Sequence, residues 1–283
     1  MIRDGLEIGH RLIARPHTCY CGLVAARRAK SKRAPRRAAK RAPPSWLKRQ
    51  LSRLFRAVLG LSLLMLGAGV AVIAWGWPQM QGIEAGPVRT SAFVEAYTKA
   101  TRRRPKMTWL STARIDEDLK LAVLVAEDAR FFEHGAFDPR ELGFALRDGW
   151  RNRQRMRGAS TLTQQLAKNL WLSSQRSLLR KVREAAYAVA LERRASKQRI
   201  LEIYLNVVEM GPGVFGAEAA AQRFFDTSAS DLSPRQAAEL AASLSRPSFW
   251  FPGARSEGYE RRVQHILREM KRSPDVARAI AER

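Results

Sequence analysis

Ala57 to Pro78 (AVLGLSLLMLGAGVAVIAWGWP) is a run of 22 residues without a single charge. No other feature constrains the chain more. As helix it spans about 33 Å, enough for a hydrocarbon core of about 30 Å. A soluble helix of five turns keeps a polar face, and this run has none. It also starts too late and is too long for the apolar part of a cleaved signal peptide. It reads as one transmembrane helix over 57–78. Lys48, Arg49, Arg53 and Arg56 precede it, which predicts a cytoplasmic N-terminus. Trp75 and Trp77 then mark the far interface, and everything after Pro78 is exported.

Charge divides the chain further. Residues 1–56 hold 16 Lys and Arg against Asp4 and Glu7, a net +14, so the remainder of the +25 total is +11. SKRAPRRAAKRAPP (31–44) cannot bury a core, and 1–56 reads as a disordered basic cytoplasmic tail. Such a tail suits an anionic surface, and nucleic acid is not assigned as a partner. Cys19 and Cys21, the only cysteines, lie in that tail, so the exported part needs no disulfide. Their spacing is too tight for a zinc pair. With only His134 and His265 beyond the membrane, a histidine-rich metal centre is not expected.

Residues 79–114 read as an irregular basic connector, and 115–275 as a mainly α domain. Asp116 caps a helix in which Leu119, Ala122, Val123 and Ala126 share a face, extending to about Phe131-Phe132. Asp138-Pro139 opens a second. Arg151, Arg153, Arg155 and Arg157 fall in a loop ending at Gly158, and Ser160 caps the next helix. Further helices are expected at 177–194, 197–208, 234–244 and about 257–272. No segment shows sustained β alternation.

The polar residues of this domain are concentrated. Glu127 ends an apolar helix, where desolvation raises a carboxyl pKa and suits a general base, with Asp128 beside it. Ser160-Thr161-Leu162-Thr163-Gln164-Gln165 carries five polar side chains in six residues. With helix-terminal amides they form a donor-rich cradle for sugar hydroxyls and phosphate. Lys168 lies two turns beyond Thr161 on the same face. Arg180 and Lys181 can pair with Glu184 along a helix. Taken alone, each of these has an ordinary structural reading. Phe131 and Phe132 look like packing residues, and a lone His134 like a structural one.

Taken in order, the segments resemble the motifs of the family 51 peptidoglycan glycosyltransferases. Glu127-Asp128-Ala129-Arg130-Phe131-Phe132-Glu133-His134-Gly135-Ala136-Phe137-Asp138 is similar to that family's first motif. Gly158 to Asn169 resembles the second, Arg180 to Glu184 the third, Lys197 to Asn206 the fourth, and Gln236 to Pro247 the fifth. Ala136 and Ala159 stand where the family usually has Gly. The resemblance covers roughly 110–270. With the chain ending at Arg283 there is no room for a transpeptidase domain, so it is closest in character to the monofunctional biosynthetic members. The resemblance implies a lysozyme-like, mainly helical glycosyltransferase domain on one membrane helix, in a bacterial inner membrane with the catalytic domain periplasmic. It implies Glu127 as general base and Glu184 as the residue that orients the site or assists the leaving phosphate. It further implies that Asp128, Phe131, His134, Gly158, Ser160, Thr161, Gln165, Lys168, Asn169, Arg180 and Lys181 bind substrate. No cofactor is obligatory, and a divalent metal ion is an optional participant. The implied partners are lipid II, the growing glycan chain, the membrane, and other cell-wall synthesis and division proteins. Two rival readings are a lysozyme-like glycan hydrolase, whose carboxyls would stand about 6.5–9.5 Å apart for inversion, and a non-catalytic membrane-tethered scaffold.

Overall fold

The computed structural model describes residues 45–152, 160–175 and 177–282. Residues 1–44 of the tail expected over 1–56, Gly158, and Arg153, Arg155 and Arg157 of the arginine loop lie outside the described residues; residues 45–56, expected to be disordered, instead begin a helix, and Arg151, expected in that loop, lies in the last turn of one. Helix α1 is Ser45–Trp75, so it starts before the run read from sequence and stops before Trp77 and Pro78. Its segment Lys48–Ala71, 24 residues of mean hydropathy 1.9, is long and apolar enough to cross a membrane. The chain forms two compact units, one ending at Leu61 and one running from Ser62 onward, with α1 passing through the boundary.

The second unit is mainly helical. Its elements are α2 (Ala92–Thr101), a 3-10 turn (Thr112–Arg114), α3 (Glu117–Glu127), α4 (Pro139–Asn152), α5 (Leu162–Trp171), α6 (Leu178–Glu192), α7 (Lys197–Val207), α8 (Ala217–Phe225), α9 (Pro234–Ser243), α10 (Glu257–Arg272) and α11 (Pro274–Ala281). A short antiparallel hairpin, β1 (Glu209–Gly211) with β2 (Val214–Phe215), sits between α7 and α8.

α3 is the central helix. Asp116 caps it through the amide of Asp118, and Leu119, Ala122, Val123 and Leu124 are fully buried against α9, α10 and α11. α9 can approach so closely because its inner face is alanine: Ala237, Ala238, Ala241 and Ala242 are all buried. α9 itself opens on a full capping box between Ser233 and Gln236, with Pro234 at its first position. On the other side of the core α5 packs on α6 and α7.

Two expectations change. α3 stops at Glu127 and does not run on to Phe131-Phe132, because Asp128 turns out of the helix to reach His134 and the amide of Leu162. The segment 79–114 is no loose connector. Ser91 caps α2, and Met80, Ile83, Val94 and Leu110 are buried in it. The side chain of Asn206 on α7 accepts from the Leu110 amide and donates to the Leu110 carbonyl, both at 2.8 Å, as a strand partner would. Arg199 donates to the carbonyls of Ile83 and Gly86 and lies over the Trp109 ring. Beyond α1, the hydroxyl of buried Tyr187 on α6 donates to the Gly76 carbonyl, and Trp77 meets its ring edge-on.

Gly216 precedes α8 at φ 87°, and a Cβ there would stand 2.5 Å from the Asn206 carbonyl oxygen. Both the conformation and the contact exclude a side chain. Gly216→Ala is therefore expected to lower unfolding free energy by about 2 kcal/mol or more, read from denaturant melts of the detergent-solubilised protein. An unchanged midpoint would contradict this account.

Candidate active site

Glu127 is the last residue of α3. A carboxylate there meets the negative end of the helix dipole and loses water to the core, and both oppose ionisation. Its side chain is 14% exposed. Burial pushes its pKa above the ordinary value. A hydrogen bond from Gln165 and the charges of Arg262 and Lys168 pull the other way, while Asp128 adds to the rise. Gln165 Nε2 donates to Glu127 Oε2 at 2.9 Å. The Gln165 amide is itself oriented by the hydroxyl of buried Tyr204, which donates to Oε1 at 3.1 Å. Burial drives the Tyr204 pKa far up, so this hydroxyl stays a donor. Arg262 of α10 donates to the Ala126 carbonyl at 2.7 Å and stands 3.7 Å from Glu127 Oε1; its Nε is buried without a partner.

Asp128 binds the protein rather than facing open space. One oxygen accepts from the Leu162 amide at the start of α5, at 2.9 Å, and the other meets His134 Nε2 at 2.7 Å. His134 Nδ1 lies 2.7 Å from the Gly135 carbonyl. A ring between two acceptors must carry a proton on each nitrogen. Desolvation works to lower the His134 pKa, but the Asp128 and Gly135 hydrogen bonds prevail and it rises. Asp138 caps α4 through the amides of Arg140 and Glu141 and pairs with Arg130.

On α5 the cap is Thr161, not Ser160: Thr161 accepts from the Gln164 amide and donates to the Ala136 carbonyl. Ser160 is left to accept from Lys181 Nζ at 2.8 Å. Gln164, buried, also accepts from Lys181 and donates to the Ala136 carbonyl. Neither Gly135 nor Ala136 has a positive φ, so alanine at 136 fits without strain. On α6, Ser177 caps the helix and Glu184 is 4% exposed, accepting from Arg180 Nη1 at 2.7 Å and from Lys181 Nζ.

Lys168 joins the halves. It is half-buried, with its amine 5.7 Å from the centre of the Phe93 ring. Burial lowers its pKa; Glu184 and Glu127 oppose that, and Arg180 and Lys181 reinforce it. The amine makes no hydrogen bond or ion pair among the described residues, and neither does the nearly buried amide of Asn169. A pocket of about 220 Å³ opens beside Glu127, lined also by Arg130, Asp138, Ser160 and Thr161.

The structure thus brings Glu127, Gln165, Lys168, Arg180, Lys181, Glu184 and Ser160 into one connected set. Phe131 is a correction: it is fully buried beneath Lys197 and offers no surface to a ligand. Asp128, His134 and Thr161 are committed to bonds that hold the first and second motifs together. The donor set does not suit a divalent cation. Both Glu184 oxygens already face cations, Glu127 faces Gln165 and Arg262, and the described residues hold no cluster of three His, Cys, Asp or Glu. Sequence reading missed Arg262 and the orienting role of Tyr204.

Residues 94–271 match the model of the family described as Transglycosylase. A biosynthetic peptidoglycan transglycosylase of Dechloromonas aromatica (strain RCB) is 39% identical over 227 residues, covering 80% of this chain and 95% of that relative. Proteins of the same description from Thiobacillus denitrificans and Alcanivorax borkumensis are 44% identical over 187 residues and 40% over 217, covering 81% and 87% of those relatives and 64% and 76% of this chain. The chain belongs to the transglycosylase family.

Two predictions follow from the geometry. Arg262 holds the Glu127 pKa down, so in Arg262→Met it rises and activity is lost at a higher pH. The acidic limb of kcat/KM should move upward, and should move little in Arg262→Lys; an unmoved limb in the Met variant would refute the contact. For His134, the folded pKa lies above its ordinary value of about 6.5. The pairing therefore contributes stability fully below that value and loses it as pH rises through the folded pKa. His134→Gln should destabilise more at acidic pH than at pH well above neutrality, read from melts at both. A pH-independent difference would contradict a charged His134.

Proposed function

We propose that this transglycosylase works by general-base catalysis at Glu127. The chain is an enzyme, a peptidoglycan glycosyltransferase that polymerises glycan strands. In our reading Glu127 takes the proton from the 4-hydroxyl of GlcNAc in an incoming lipid II. That oxygen attacks C1 of the terminal MurNAc of the growing chain, the configuration inverts from α to β, and undecaprenyl pyrophosphate leaves. The observation that carries the assignment is the balance at Glu127. Burial and the helix end raise its pKa, while Gln165 and Arg262 restrain the rise. A base works best with its pKa near the working pH.

The cations serve the other end of the reaction. Lys168, whose amine makes no hydrogen bond among the described residues, can meet the pyrophosphate. Arg180 and Lys181 add positive field, and Asn169 and Ser160 add polar contacts. Glu184 organises this cluster by accepting from both of its cations. That arrangement favours transfer over hydrolysis. A sugar leaving group needs a proton donor, and neither Glu184 oxygen is open to present one. A pyrophosphate leaving group needs positive charge.

The domain fits a lysozyme-like arrangement on the outer face of a bacterial inner membrane, with α1 as a single span and the basic residues before it in the cytoplasm. Phe137, Leu142 and Phe144 around α4, and Leu178, Leu179 and Val182 on α6, are exposed apolar residues suited to the bilayer surface, where polyprenyl substrates are anchored.

The test is polymerisation of labelled lipid II by detergent-solubilised protein, read on a gel. Wild type should give polymer, and Glu127→Gln should lose at least about 100-fold in rate while keeping its melting temperature. A folded Glu127→Gln that polymerises at the wild-type rate would remove Glu127 as the base.

A further inference from the structure

A second pocket, of about 240 Å³, lies at the opposite end of α3 from Glu127. It is formed by the start of α3, the 3-10 turn, α7 and α11, and it shares no lining residue with the pocket beside Glu127. Lys120 and Glu127 are seven residues apart on one helix, about 10 Å along its axis.

Lys120 makes this pocket unusual. The residue is only 7% exposed, yet its amine makes no hydrogen bond or ion pair among the described residues. The stem of the side chain is buried while the amine itself still touches solvent through the pocket. Burial still lowers its pKa, against the pull of Glu117 and Asp116. The pocket is lined by Phe132, Leu201 and Ile280 on its apolar side, with Thr112, Glu117 and Gln198 as polar groups beside Lys120. Glu117 stands exposed at the rim without pairing to Lys120.

We propose that this pocket is a second binding site, for a small organic monocarboxylate with a short apolar tail. The carboxylate pairs with Lys120 and the tail lies against Phe132, Leu201 and Ile280. Charge limits the valence: Lys120 is the one cation among the lining residues, and with Glu117 beside it and Asp116 also acting on it the site takes at most a single negative charge and repels a pyrophosphate. Volume sets the size, since the pocket holds a few heavy atoms and no sugar-lipid. Occupancy touches Phe132, whose ring packs edge-on against Phe131 in the segment between Glu127 and His134. The site borders that segment without being part of the chemistry.

The experiment is reductive methylation of the full-length protein in detergent with isotope-labelled formaldehyde, a reagent small enough for the pocket, each lysine being followed by peptide mass spectrometry. Sodium propionate and inorganic pyrophosphate are the probes. Propionate should slow methylation of Lys120 by about tenfold, with half-protection at about 10 mM or below, and leave Lys168 unaffected. Pyrophosphate should leave Lys120 unaffected, whatever it does at Lys168. Glu117→Gln removes the competing rim charge and should shift Lys120 protection to lower propionate. Lys120→Met should abolish the rise in melting temperature with propionate while still polymerising lipid II. A Lys120 that does not react in the free protein, that reacts equally with and without propionate, or that is protected equally by both anions overturns the proposal. None of these readouts depends on Glu127 being the base, which the Glu127→Gln assay decides separately.

Discussion

Ending a helix that is buried on nearly every side with a carboxylate is the constraint around which this domain is arranged. α3 has to be apolar to sit among α9, α10 and α11, and its last residue then meets both low dielectric and the negative pole of the helix. Left alone, Glu127 would hold its proton too firmly to accept another. Neighbours from different helices oppose this without cancelling it: Gln165 from α5, oriented by Tyr204 from α7, Arg262 from α10, and the charge of Lys168. Each needs its own helix fixed in register with α3. The alanines of α9 and the Asn206 bonds to the Leu110 backbone are therefore part of the active-site geometry as much as of the core.

The same economy runs through the loop after α3. Asp128, His134, Asp138 and Thr161 lie in the segments that follow Glu127 and open α5, and most of their hydrogen-bonding capacity is spent inside the protein. Asp128 joins the end of α3 to the start of α5, where an anion is favoured by the helix dipole. Thr161 and Gln164 converge on one carbonyl, that of Ala136. These bonds fix the start of α5, from which Gln165 reaches Glu127.

Much of this was legible in the sequence, for physical reasons that can be named. Caps at Asp116, Ser196 and Ser233-Pro234 are local signals, and those helices start where such residues require. α2 and α11 escaped notice because they are short and rest on packing, and α8, though rich in good helix formers, because its cap is Gly216 rather than a side-chain N-cap signal. α2 is short and flanked by Gly86-Pro87 and Arg102–Pro105, and it forms against α5. The end of α3 was misplaced because Asp128 leaves the helix for partners 6 and 34 residues away, which no local pattern records. Arg262 was invisible for the same reason: it is 136 residues from the carbonyl it binds. Phe131 sits inside a catalytic motif yet serves the core, so spacing carried its position and not its role.

Glu184 is where the physical argument adds most to the motif. A carboxylate beside an active site suggests an acid, a nucleophile or a metal ligand, but both of its oxygens are taken by Arg180 and Lys181 one helical turn away. Holding those cations together costs repulsion, and at Lys168 this adds to the larger effect of burial in lowering the pKa. A single buried negative charge makes the cluster tolerable when no phosphate is bound. In the proposed mechanism an arriving pyrophosphate meets donors that are already placed, so little reorganisation is left for the transition state. On this view the two glutamates have opposite tasks. Glu127 is kept reactive by being only partly compensated, and Glu184 keeps its neighbours in place by being fully compensated.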